Sequence, residues 1–140
     1  MTACIFCEIA AGRAAASSVY ADETVVAFMD IQPVNPGHVL VVPRRHASCL
    51  AELDPMDAAA LLPVAQKVAA ALRQSGMRCE GVNFFLADGE AAGQDVFHVH
   101  LHVFPRWEGD GFGLRLPPGY HTLPPRTDLD AIAERLRGSL

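Results

Sequence analysis

The sequence predicts an α+β domain in which an antiparallel sheet is covered by separately grouped helices. Two observations carry this. Short β-branched and aromatic segments are separated by tight turn signals. One long stretch beginning near residue 54 repeats apolar residues at helical spacing, and a second, short helical stretch closes the chain. At 140 residues the chain fits one domain, 1–140, with a core over 1–108 and a C-terminal tail over 109–140.

Val19–Asp22 and Thr24–Met29 read as two strands around the turn at Asp22-Glu23. Ile31–Gly37 is a loop punctuated by two prolines and a glycine. His38–Val42 is a strand buried on at least one face and stopped by Pro43. Asp54 caps the long helix and Pro55 sits at its first position, where no hydrogen bond is lost. Leu61, Val64, Val68 and Leu72 form its apolar stripe, a core or dimer-interface face. Pro63 should kink this helix or mark a restart, and Gly76 ends it. Val82–Ala87 and Phe97–Phe104 are further strands, with the loop Asp88–Asp95 between them. The Gly- and Pro-rich stretch from Pro105 to Pro125 lacks regular structure, although Trp107 and Phe112 within it should pack. Asp128–Arg137 closes the chain as a short helix.

The formal charge is −5 with the six histidines neutral, which argues against nucleic-acid binding through phosphate neutralisation. A small phosphorylated ligand remains compatible, because backbone N–H groups can hold an anion. No basic leader precedes the short apolar N-terminal stretch, and no apolar run approaches the roughly 20 residues that span a bilayer. The expectation is a cytoplasmic protein without a membrane partner, whose four cysteines stay reduced as metal ligands or buried residues.

The informative segment is Gln94–Phe104. Strand alternation sends His98, His100 and His102 to one face and Val99, Leu101 and Val103 to the other. Half of the chain's histidines fall within these five residues. Just before them, Gly89, Gly93, Ala91 and Ala92 let the backbone approach a ligand closely. Gly93-Gln94-Asp95 could turn consecutive N–H groups toward a phosphate. A histidine nucleophile beside an anion cradle describes phosphorus transfer through a covalent phosphoramidate. The competing readings are a metal site built from alternating histidines and a nucleotide-binding module without efficient catalysis.

His98-Val99-His100-Leu101-His102-Val103-Phe104 resembles the signature of the histidine triad (HIT) family, three histidines alternating with apolar residues. Cys4-Ile5-Phe6-Cys7, Phe28-Met29-Asp30-Ile31, Gly37–Pro43 and Gly93-Gln94 match in order and spacing, so the likeness covers roughly residues 4 to 108. The resemblance implies an α+β HIT-like fold with a five-stranded antiparallel sheet and a homodimer in which two sheets join. It implies that His100 attacks the α-phosphorus of an adenosine nucleotide derivative, a phosphoramidate or a dinucleoside polyphosphate, and forms a nucleotidyl-histidine. The backbone carbonyl of His98 would hold the other ring nitrogen of His100. His102 and the backbone around Gly93, Gln94 and Asp95 would hold phosphate oxygens. Asp30 would meet the ribose, Phe28 and Ile31 would flank the base, and His38 would support the site from behind. Two positions depart from the pattern: Ala87 stands where many relatives have Asn or Gln, and Asp95 where many have Ser or Thr. A carboxylate at 95 would repel an anion unless it turns away, is protonated or is paired.

Cys4 and Cys7 have the spacing that lets two thiolates share one zinc, with Cys49 and Cys79 as further thiols in the chain. The resemblance implies that His46 and His98 complete the set. A Zn²⁺ held by Cys4, Cys7, His46 and His98 would be structural, pinning the N-terminal segment beneath the histidine segment.

Overall fold

A computed structural model describes residues 4–140, so the N-terminal reading of Met1 to Ala3 lies outside the described residues. Its first unit runs through Asp110. Strands β1 (Ser18–Ala21) and β2 (Val25–Met29) are joined by a turn that Asp22 closes by accepting the N–H groups of Thr24 and Val25, at 2.8 and 2.7 Å. Strand β3 (Val39–Pro43) follows, then β4 (Gly81–Phe85) and β5 (Leu101–Arg106). All neighbours are antiparallel, in the order β1-β2-β3-β5-β4.

The sheet is covered on both faces, which explains why β2 and β3 read as continuous apolar runs and not as alternating ones. Val25, Ala27, Val39 and Val41 join Val99, Leu101 and Val103 under the 20-residue helix α2 (Pro55–Gln74), through Leu61, Val64, Val68 and Leu72. The opposite face, with Val26, Phe28, Leu40 and Val42, packs against Phe6 of a six-residue helix, α1 (Ile5–Ala10). Asp54 caps α2 as its position predicts, accepting from the Met56 N–H at 2.8 Å, and Pro55 occupies the first turn.

Three local expectations change. Helix α2 passes through Pro63 without a restart; the proline lies on the solvent side, where water can serve the Ala59 carbonyl that loses its partner. The last strand begins at Leu101 and not at Phe97, because the Val99 N–H is taken by the carbonyl of Ala47 in a loop and not by a strand. Helix α1 was not foreseen, being too short to show a period. Gly37, at φ +105°, makes the turn into β3 where a Cβ would lie 2.9 Å from Leu72 Cδ2.

The second unit, Gly111–Leu140, consists of turns followed by helix α3 (Arg126–Arg137). Among the described residues no helix is long and apolar enough to cross a membrane.

Candidate functional site

Register places the histidines. His102 lies on β5 between Leu40 of β3 and Phe85 of β4, while His98 and His100 precede the strand in an extended segment. Phe6 stands edge-on to His100 and His98, with ring centroids 5.1 and 6.0 Å away, and so fixes both imidazoles from the side of α1. This residue was missed by the sequence reading; its place between two cysteines was its only signal.

The proton positions follow from the partners. His100 Nδ1 lies 2.8 Å from the His98 carbonyl oxygen. A carbonyl can only accept, so Nδ1 carries the proton and Nε2 carries the lone pair. His102 is fixed from the other side. The Val34 N–H donates to His38 Nδ1 at 2.9 Å. His38 therefore bears its proton on Nε2 and donates it to His102 Nδ1, also at 2.9 Å. Neutral His102 thus presents N–H at Nε2. Burial first, and then His100 and His38, hold the His102 imidazole down at about 4, against the opposing carboxylates of Asp30 and Asp95. Burial likewise pushes His38 down.

A nucleophilic nitrogen and a donor nitrogen consequently sit side by side, with ring centroids 4.9 Å apart, at a cavity of about 330 Å³. Phe28, Asp30, Ile31 and Asp95 line it. Phe28 is buried, whereas Ile31 is 97% exposed, a large apolar side chain at the rim with nothing over it. Asp30 accepts the Gln32 N–H at 2.8 Å through Oδ1 and turns Oδ2 toward His38, 3.4 Å away. The Asp95 carboxylate lies 3.7 Å from His100 Nε2. Ala87, the other departure, is buried.

At Gly93-Gln94-Asp95, where an anion cradle is expected, two of the three amides bond within the loop. Gly93 N–H donates to Glu90 O at 2.9 Å and Gln94 N–H to Gly89 O at 3.1 Å. The buried Gln94 side chain accepts from Gly89 N–H at 2.8 Å and donates to the carbonyls of Ser48 and Val96 at 2.8 and 3.1 Å. Gly93 and Gln94 brace the loop; Asp95 and Val96 meet the cavity.

On the far side of α1, the donor atoms of Cys4, Cys7, His46 and His98 converge within 4.8 Å of one another. His98 donates Nε2–H to the Pro43 carbonyl at 2.7 Å, which leaves the lone pair on Nδ1. That lone pair faces Cys4 Sγ at 3.4 Å, Cys7 Sγ at 3.5 Å and His46 Nδ1 at 3.2 Å. Burial, then Cys4, push the Cys7 thiol up, so two thiolates here require a cation between them. Two thiolates and two imidazoles form a tetrahedral zinc set. Cys79 instead donates to the Gly81 carbonyl.

Donor atoms of Asp30, His38 and His102 also lie close enough to hold a metal. A metal on His38 Nε2 would force a proton onto Nδ1, against the Val34 N–H. That cluster is a hydrogen-bond relay.

A family model described as HIT domain matches residues 11–109. The Bacillus subtilis protein named Protein hit is 43% identical over 111 residues, covering 79% of this chain and 76% of that one. A crystal structure described as a Zn-bound histidine triad family protein from Mycobacterium smegmatis superimposes with a TM-score of 0.75 at 38% identity, over 98% of this chain and 97% of that one. A structure described as a histidine triad nucleotide-binding protein from Candida albicans gives a TM-score of 0.87 at 28% identity, over 98% and 96%.

Proposed function

This chain belongs to the histidine triad family, and from that premise we propose that it cleaves nucleotide derivatives at the α-phosphorus through a nucleotidyl-histidine on His100. The observation that carries the reading is the hydrogen bond from His100 Nδ1 to the His98 carbonyl, which leaves a lone pair on Nε2 beside the cavity. Attack by Nε2 forms an N–P bond as the leaving group departs. His102, presenting Nε2–H, donates to a phosphate oxygen as charge builds. Water then attacks phosphorus, the N–P electron pair returns to Nε2, and a nucleoside monophosphate is released. Phe28 and Ile31 flank the base, and Asp30 meets the ribose. His38 is a positioning residue that acts through the tautomer of His102. Adenosine is the nucleoside we assign, and the nucleotide-binding description of the Candida albicans neighbour supports the ligand class.

The Cys4–Cys7–His46–His98 set fits a structural Zn²⁺, in accord with the zinc-bound Mycobacterium smegmatis neighbour. Bound there, zinc supplies a cross-link between α1 and the histidine segment. Edge strand β4, with Phe84 and Phe85 45% and 42% exposed, fits a homodimer in which two sheets join. Four cysteines outside any disulfide fit a reducing compartment, the cytoplasm. We read 1–140 as one HIT domain, with its core over 1–108 and 109–140 as its C-terminal tail.

The test is intact mass measurement during rapid mixing with adenosine 5′-phosphoramidate. A transient adduct of one AMP on the wild type, absent in His100→Ala, is expected. Tight AMP binding with no adduct and no AMP release from either a phosphoramidate or a dinucleoside polyphosphate would make the protein a binding module, the reading that the departures at Ala87 and Asp95 support.

A further inference from the structure

Two consecutive carbonyls just after His46 hold both halves of the site. The Ala47 carbonyl accepts the N–H of Val99, the residue before His100, at 2.9 Å. The Ser48 carbonyl accepts Gln94 Nε2–H at 2.8 Å, immediately before the Asp95-Val96 turn that lines the cavity. This stretch is tied down in its turn: Ser48 N–H donates to the Glu52 carboxylate at 3.1 Å and Leu50 N–H to Asp88 at 2.8 Å. The nucleophile and the turn beside it are thus set from one short piece of backbone.

The buried Gln94 side chain makes the second of these connections. Its Oε1 accepts Gly89 N–H at 2.8 Å, and its Nε2 reaches the Val96 carbonyl at 3.1 Å as well as Ser48. A side-chain amide has two N–H donors, and both are used, so Gln94 keeps none for a ligand. Beyond it the bonding changes. Among the described residues the N–H groups of Asp95 and Val96 meet no acceptor, whereas those of Gly93 and Gln94 are spent within the loop. The Asp95 carboxylate, its side chain 78% exposed, can turn to solvent. The nucleoside end of the cavity comes from other elements, with Phe28 and Ile31 opposite Ile5 and Ile9 of α1.

Resting on the reaction assigned above, we propose that Gln94 is a positioning residue: without touching the ligand, its side chain holds the Asp95 and Val96 amides in register with His100 Nε2. It thereby governs how tightly the phosphate is held and how fast phosphorus is transferred, and it leaves the nucleoside end alone. Transfer demands a reactive encounter at roughly 3–3.5 Å, where a misplacement of about 1 Å costs on the order of a hundredfold. A misplaced amide also forfeits a charge-assisted hydrogen bond, about tenfold in affinity.

The experiment compares the wild type with Gln94→Met, which leaves the Ser48 and Val96 carbonyls and the Gly89 N–H without their partner. Calorimetry gives the Kd of AMP and of adenosine, and rapid mixing with saturating adenosine 5′-phosphoramidate gives the rate of adduct formation. The variant should bind AMP about tenfold more weakly and adenosine as before, and should form the adduct at least about tenfold more slowly. Equal weakening of AMP and adenosine overturns the proposal, because it would make Gln94 a general support of the fold. Unchanged AMP affinity and adduct rate overturn it too. Should Gln94→Met not fold, Gln94→Glu carries the same test, since it has the same length and keeps an oxygen for Gly89 while lacking the N–H donors. If the wild type forms no adduct, the assigned reaction fails, and the change in the AMP-to-adenosine affinity ratio alone decides the role of Gln94.

Discussion

His102 is the side chain on which acid bears most heavily. An unfolded histidine takes up its proton near 6.5, whereas burial holds His102 at about 4. Between those values the unfolded chain binds more protons than the folded one. The contribution of neutral His102 to stability is therefore whole above about pH 6.5 and is lost as pH falls toward 4. With its side chain 18% exposed, the loss from His102 is on the order of 3 kcal/mol, and His38 moves in the same direction. The expected thermal denaturation midpoint is flat above pH 7 and falls steadily below 6.5, less steeply in His102→Gln; a midpoint constant down to pH 4.5 would refute this. At this scale the sequence showed the three histidines and their alternation with Val99 and Leu101. It did not show which nitrogen carries each proton. Those assignments come from the carbonyls of His98 and Pro43 and the amide of Val34, groups that every residue possesses and no side-chain pattern reveals. The commitment of the Gly93 and Gln94 amides was hidden for the same reason.

Among the elements, those with a long period or a side-chain cap were legible: α2 from Asp54, Pro55 and its apolar stripe, and β1 and β2 from the turn at Asp22. Elements held by distant partners were not. Helix α1 has six residues and no side-chain cap, and it persists because Phe6 is buried against Phe28, with ring centroids 5.5 Å apart. Arg45, just before His46, pairs with the buried carboxylate of Asp57 at 3.0 Å and so ties the loop that carries His46 to the first turn of α2, a contact that spacing alone does not predict. Strand β4 carries the prediction that belongs here. As an outer strand with two exposed phenylalanines it should pair with a second copy. Sedimentation should give twice the chain mass of 15.0 kDa for the wild type and one chain for Phe84→Lys. A wild type that sediments as a single chain at micromolar concentration would count against the joined sheets.

For the molecule as a whole, the fold class was readable because apolar runs, turns and one long helix agreed with one another. What could not be read was that the sheet carries a helix on each face, since continuous apolar strands report double burial without naming what covers them. The smaller cover, α1, has a further property. Cys4 at its N-terminus and Cys7 within it turn their thiols toward His46 and His98, while Ile5, Phe6 and Ile9 form a wall of the cavity. One helix is thus shared by two sites that also meet at His98, whose Nδ1 faces the two cysteines and whose carbonyl accepts from His100. Chelation of zinc, or Cys7→Ala, should lower the denaturation midpoint and also weaken AMP binding by calorimetry, with every phosphate-facing residue intact. Stability lost without any change in AMP affinity would show that the two faces act separately. If they are joined, the linkage is reciprocal: each factor by which zinc tightens the nucleotide is the factor by which the nucleotide raises the affinity for zinc over competing chelators, so a supply of substrate would itself conserve the metal in a zinc-poor cell.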